Sequence, residues 1–217
     1  KIPLALAVGS NAVSVAEQAM HLILTITKQG FLYHQAVQEG RFDFRQRPSS
    51  SNLEGKSILI IGFGRTGSRV AARAAAFDMD LYAIDPYIDS NIIRRAGGTV
   101  VTDLRAILPQ MDVVTIHCPR TLETHGLIGR EELNAMKTSA ILINTARGGI
   151  VNEMDLYEAL SSGSIRGAGI DVFEKEPPDR QHPLLTLPNV VLSPHCAGVT
   201  RESLVLMAQI AAQNVLD

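Results

Sequence analysis

Apolar positions along this chain follow two periods. From Leu53 onward, short runs of Ile, Leu and Val alternate with stretches whose apolar residues recur every three or four positions. The runs predict strands at 57–61, 81–84, 113–116, 141–144, 167–171 and 190–192, with a weaker addition at 100–101. Helical spacing is strongest at 68–77, 103–108, 130–136 and 153–161, with Gly163 as a stop after the last of these. Strands alternating with helices imply right-handed crossovers and a doubly wound α/β fold built on a parallel sheet. Before this region, Ser14-Val15-Ala16-Glu17 reads as a capping box. It opens a helix whose Val15, Ala19, Leu22, Ile23 and Ile26 share one face, widened by Ala16, Met20 and Leu24. Residues 30–52, with Phe31, Phe42, Phe44, Arg41, Arg45, Arg47 and a serine run, read as an extended arm or loop. Residues 204–216 read as a further amphipathic helix. Three regions follow: 1–52 as helix and arm, 53–195 as the α/β domain, and 196–217 as a terminal helix.

The first strand runs directly into Gly62-Phe63-Gly64-Arg65-Thr66-Gly67, a G-x-G-x-x-G turn that opens the next helix, and the second strand ends at Asp85. Glycines let a backbone approach a pyrophosphate, a helix N-terminus supplies N–H groups and positive dipole, and a carboxylate after the next strand can grip a ribose diol. Strand, turn, helix, strand and acid occur in that order, which makes this a dinucleotide-binding fingerprint in its required context. Asp85 favours NAD over NADP, because a 2′-phosphate would set a second anion against it. Alone, Asp85 could be a turn former before Pro86.

A formal net charge of -2 gives no reason to expect nucleic acid or an anionic membrane surface as a partner. The apolar runs are too short to span a bilayer, and no signal-peptide layout is visible at the start of the chain. Two cysteines, Cys118 and Cys196, are too few for a disulfide framework and lack metal-ligand spacing. They fit reduced thiols in a cytoplasmic protein.

Ligands of such sheets bind beyond the carboxyl ends of the strands, which singles out Arg147, Glu176 and His195. A guanidinium can fork onto a carboxylate, an imidazole can exchange a proton near neutral pH, and a carboxylate beside it can orient the ring. Taken singly, Arg147 could pair with a surface acid, Glu176 could belong to a charged turn, and His195 could be a satisfied loop histidine. Their shared place on the ligand edge favours chemistry.

The segments GFGRTG from Gly62, INTARGGIVNE from Ile143, GAGIDVFEKEPP from Gly167 and SPHCAG from Ser193 together resemble the D-isomer-specific 2-hydroxyacid dehydrogenases. By that resemblance, Arg147 holds the substrate carboxylate and carbonyl, His195 is the acid/base and Glu176 is its partner. NAD is held by Gly62, Gly64, Arg65, Thr66, Gly67 and Asp85, with His117-Cys118-Pro119 lying against it mainly through backbone. Ala146, Arg147 and His195 lie near the nicotinamide, and Asp171 bonds its carboxamide. The implied reaction exchanges a hydride between NAD(H) and a 2-hydroxy or 2-keto acid, with phosphoglycerate a reasonable first trial. Formate is disfavoured, because related formate dehydrogenases carry glutamine at the position of Glu176. Arg120 stands where the family usually has an apolar residue. The resemblance also implies roughly a hundred residues of substrate domain before Lys1, so the chain is expected to be a fragment or the ordered part of a longer protein. It further implies a homodimer embraced through 30–52, the alternative being a loop folded on its own domain. A second reading, an NAD(H)-sensing corepressor-like protein without physiological turnover, shares the same site residues.

Overall fold

A computed structural model describes residues 6–46 and 49–216; Lys1, Arg47 and Asp217 of the regions above lie outside it. Helix α1 covers Ala12–Lys28 and ends where Gln29 turns left-handed at φ 57° and ψ 39°. It starts ahead of the expected capping box. Asn11 is its N-cap, and the Ser14 hydroxyl is drawn 3.0 Å from the Thr200 hydroxyl, across the molecule, instead of capping. Residues 30–52 are not the extended arm that their composition suggested. Helix α2 occupies Gly30–Gln38, and a 3-10 turn occupies Phe42–Gln46. Nothing inside α2 breaks a helix, but only Ala36 of it is buried, so no one-sided apolar stripe advertised it. The segment is tied down locally. Tyr33 meets Phe44 edge-on with ring centroids 5.7 Å apart, and Arg166 donates to Ser49 O and Ser51 Oγ.

The α/β core then follows the expected rhythm. β1 (Ser57–Ile61), α3 (Gly67–Ala75), β2 (Asp80–Ile84), α4 (Ser90–Arg95) and β3 (Thr99–Val100) form one half. The other contains α5 (Leu104–Ile107), β4 (Val113–Ile116), α6 (Arg130–Ala135), β5 (Ile141–Asn144), α7 (Glu153–Ser161), β6 (Gly167–Ile170) and β7 (Val190–Leu192). Short polar caps set several helix starts: Asp89 accepts from Asn91 N, Asp103 from Ala106 N, and Asn152 from Met154 N and Asp155 N. Gly163, at φ 73°, follows α7 as predicted. The one core helix not anticipated is α4.

All seven strands are parallel, in the order β3-β2-β1-β4-β5-β6-β7. Strand side chains divide between the two faces: Ile58 and Ile60 of β1 pack toward α1 and α3, Leu59 and Ile61 toward the α6–α7 side. Burial on both faces explains why β1 is a continuous aliphatic run rather than an alternating one. Each such fully buried aliphatic side chain contributes about 1.5–3 kcal/mol. Helix α8 (Arg201–Leu216) leaves most of its apolar side chains in solvent, Leu204 and Val205 among them, and is tethered by Asn214 Nδ2 to Leu6 O at 2.9 Å. Because the strand order reverses between β1 and β4, a crevice opens at their carboxyl ends.

Candidate active site

The crevice begins at Gly62. Its amide donates to Ile84 O, while His117 N donates to Ile61 O, so the chain segments leaving β1, β2 and β4 are laced together. Gly62 has φ 90°, and a Cβ there would lie 2.6 Å from Cys118 N. Only glycine satisfies both demands. A side chain at Gly67 would overlap the Gly62 carbonyl, so the helix α3 N-terminus can press on the turn only without one. At Gly64 the same space is empty. The turn thus offers an open cradle at a helix N-terminus, as a pyrophosphate requires. Asp85 closes the far side of this turn. Its Oδ2 accepts from Phe63 N at 2.8 Å and its Oδ1 from Tyr87 N at 2.9 Å, and each oxygen keeps lone-pair capacity for a diol. An apolar hollow of about 470 Å³ between Ile84, Pro86, Ile88 and Leu127 adjoins it, with Asp85 and Glu123 as its carboxylates. Glu123 accepts from the Tyr87 hydroxyl at 2.6 Å, and this bond raises the Tyr87 pKa.

A second cavity, about 740 Å³, continues past the β4 loop and is lined by Thr66, His117, Cys118, Pro119, Ala146, Arg147, Glu176 and His195. Nearly all the residues singled out from sequence converge on these two spaces. Arg147 is held by its own turn: Asn144, nearly buried, accepts from Ala146 N and donates to Arg147 O, both at 3.0 Å. Gly148 then presses flat on the Phe173 carbonyl, where a Cβ would overlap it, and this brings the Arg147 turn against the Glu176 loop. Glu176 Oε1 accepts from Phe173 N at 2.9 Å, and Oε2 lies 2.6 Å from His195 Nδ1. Desolvation opposes the Glu176 charge, but the bonds from His195 and Phe173 N, with Arg147 nearby, outweigh it and hold its pKa below the ordinary glutamate value. With Nδ1 committed to Glu176, His195 presents Nε2 to the cavity.

Asp171 lies elsewhere. It is fully buried beneath the His195 loop rather than on either cavity wall, and its Oδ1 accepts from Ser193 Oγ at 2.5 Å and Cys196 N at 3.0 Å. Oδ2 accepts from Ala197 N at 2.9 Å, and the Asp171 carbonyl accepts from His195 N at 2.7 Å. This set pins the left-handed backbone of His195, φ 50°. Arg65 sits on the glycine turn and its carbonyl accepts from Arg69 at 2.7 Å. His117 bonds Thr115 Oγ1 through Nε2 at 2.8 Å, its Nδ1 is shut away without a partner, and desolvation lowers its pKa to about 3. Cys118 is likewise pushed up to about 11 by burial. Sequence reasoning missed Thr145 and Phe173 at the cavity and Asn144 beneath the Arg147 turn. Asn144 alone left a signal, as a buried polar residue ending an apolar strand.

Residues 20–197 match the family model of the D-isomer specific 2-hydroxyacid dehydrogenase NAD binding domain. The chain belongs to that family. It is 40% identical over 209 residues to a D-3-phosphoglycerate dehydrogenase of Archaeoglobus fulgidus, covering 96% of this chain and 39% of that one. It is 39% identical over 206 residues to a glyoxylate reductase of Thermofilum pendens, covering 94% and 61%. Among solved structures, a D-lactate dehydrogenase from Aquifex aeolicus, complexed with NAD and lactic acid, superimposes with a TM-score of 0.88 at 31% identity, over 95% of this chain and 66% of that one. This NAD-binding domain therefore spans only part of the length of the relatives it matches.

Proposed function

We propose that the chain is the cofactor-binding part of an NAD-dependent oxidoreductase that interconverts a D-2-hydroxy acid and its 2-keto acid. The observation that carries this is the His195–Glu176 pair, 2.6 Å apart, facing the same cavity as Arg147 and opening directly off the glycine turn. Gly62, Gly64, Arg65, Thr66 and Gly67 would hold the pyrophosphate, Asp85 the adenosine ribose, and the backbone of His117-Cys118-Pro119 with Ala146 the nicotinamide half. Two carboxylates beside the ribose position, Asp85 and Glu123, favour NAD over NADP. When bound, the nicotinamide supplies or accepts the hydride. Arg147 would fork onto the substrate carboxylate and offset its charge. In reduction, His195 Nε2 would give a proton to the carbonyl oxygen; in oxidation it would take the hydroxyl proton. Glu176 fixes the ring and, because it is ionised above an already low pKa, balances the imidazolium. Asp171, buried away from both cavity walls, would serve the nicotinamide half by fixing the His195 loop and not by a direct carboxamide contact.

Phosphoglycerate is the first substrate to try, followed by glyoxylate, hydroxypyruvate and lactate. The exposed Phe31, Val37 and Phe42 on and after α2 support pairing of two copies through that segment. Both cysteines are free thiols, which fits a reducing cytoplasm. The test is a steady-state assay of the full-length protein with NADH and these keto acids, alongside His195→Gln. The variant should lose about two to four orders of magnitude in turnover in both directions while keeping its NADH affinity. A parent with no turnover on any 2-keto acid, or a His195→Gln enzyme as fast as the parent, would overturn this assignment.

A further inference from the structure

The 740 Å³ cavity carries a second guanidinium that the proton and carboxylate chemistry does not use. Arg120, on the loop after β4, lies over the turn that immediately follows Arg147. One Nη donates to Gly148 O at a long 3.3 Å, and a Cβ built on Gly149 would meet the same side chain at 3.2 Å. That single weak bond leaves most of the five guanidinium N–H donors free. Among the described residues, neither Arg120 nor Arg147 forms an ion pair with a carboxylate. Neither acid on this wall pairs with either guanidinium. Glu176 is bound to His195, and Glu174 faces His125 at 3.8 Å. The cavity therefore has two forked cationic groups outside any ion pair: Arg147, which turns one Nη to Ala146 O at 2.6 Å and acts on Glu176 only through its field, and Arg120, which touches the adjoining turn only at Gly148 O.

Two such groups suit two anions on one small molecule. We propose that Arg120 is a specificity-determining residue that holds the distal anionic group of the substrate, a phosphate or second carboxylate, while Arg147 holds the carboxylate at the reacting end. The substrate class is thereby a 2-hydroxy or 2-keto acid bearing a second anion, in preference to a monoanion. This rests on the dehydrogenase reading above and narrows it. An apolar residue at position 120 would leave the reacting end served and the distal anion unpaired, so discrimination falls on Arg120 and not on the acid/base pair.

The test uses the full-length protein, Arg120→Leu and Arg120→Lys, with 3-phosphohydroxypyruvate against hydroxypyruvate. These differ by the distal phosphate. Arg120→Leu should lower kcat/KM for the phosphorylated acid about 10- to 100-fold, mostly through KM, the range of one lost charge-assisted contact. Hydroxypyruvate should change by less than about threefold, and Arg120→Lys should retain part of the preference as a point charge. Equal losses on both acids would overturn the proposal, as would a fall in NADH affinity with no change in substrate preference, which would place the guanidinium on the cofactor phosphates. Calorimetric titration of the two acids into the NADH-loaded protein reads the subsite without turnover. A parent that binds the phosphorylated acid no tighter than the other sinks the proposal even if the protein reduces neither, whereas tighter binding without turnover supports it and sinks only the catalytic reading.

Discussion

Asp171→Asn is the substitution whose cost follows most directly from the geometry. The side chain is fully buried and accepts three hydrogen bonds: Ser193 Oγ and Cys196 N on Oδ1, Ala197 N on Oδ2. Asparagine offers one acceptor oxygen and one NH2 group. In its better orientation the oxygen keeps Ser193 and Cys196, and the NH2 then points at the Ala197 N–H, donor against donor. One bond to a charged acceptor is lost, worth about 1.5–3 kcal/mol, and a buried N–H is left unsatisfied, at about 1–3 kcal/mol. The flipped orientation keeps Ala197 and strands Cys196, and is worse because Ser193 must also rotate away. A total of about 2.5–6 kcal/mol is a large share of the 5–15 kcal/mol that stabilises a typical protein. With a urea slope of about 2 kcal/mol/M, the unfolding midpoint should fall by roughly 1–3 M. Amide exchange should accelerate at Ala197 before the sheet is affected, because this donor loses its acceptor first. A midpoint within about 0.3 M of the parent, or unchanged exchange at the Ala197 amide, would show that the three bonds do not anchor the His195 loop.

Two further outcomes are expected. His117 stays neutral in the fold because burial lowers its pKa to about 3, whereas an unfolded histidine titrates near 6.5. Between those values only the unfolded chain takes up this proton, so stability should fall by about 1.4 kcal/mol for each pH unit of acidification, and His117→Gln should remove that slope. Urea midpoints measured from pH 7 to pH 4 for both proteins check this; coincident slopes would rule it out. Asp85→Ser removes a diol acceptor and a repulsive charge together, so NAD should bind about tenfold more weakly and its advantage over NADP should narrow. An unchanged ratio of the two affinities, read by calorimetry, would reduce Asp85 to the anchor of Phe63 N and Tyr87 N.

Sequence legibility here depended on whether a residue's job is local. The fingerprint was readable because strand, glycine turn, helix N-terminus and acid act within one βαβ unit, and periodicity alone orders those parts. β1, β4 and β5 fell on their expected residues for the same reason: doubly buried parallel strands must be short aliphatic runs. β7, a partly buried edge strand, matched through its aliphatic run alone. Residues 30–52 failed the same test. Helix α2 buries only Ala36, and its Tyr33 meets Phe44 edge-on, so no one-sided buried apolar stripe betrayed it. The Ser14 capping box failed differently, since Thr200, far along the chain, claims the hydroxyl that local logic assigned to the backbone.

The catalytic candidates fall between these cases. Strand-end position marked Arg147, Glu176 and His195, but only the fold could bring Glu176 to His195, because the loop from β6 must return beneath β7 for that contact. That return is held by a carboxylate which the sequence presents as one more acid after a strand. Asp171 takes its bonds from residues 22 to 26 positions later, and its carbonyl fixes His195 N as well. A buried carboxylate with three fixed donors tolerates little displacement, whereas the half-exposed Glu176 can follow the imidazole as a proton comes and goes. The site therefore divides the work between two acids of one loop: the inner one sets where His195 stands, and the outer one takes its Nδ1 and leaves Nε2 free of that bond.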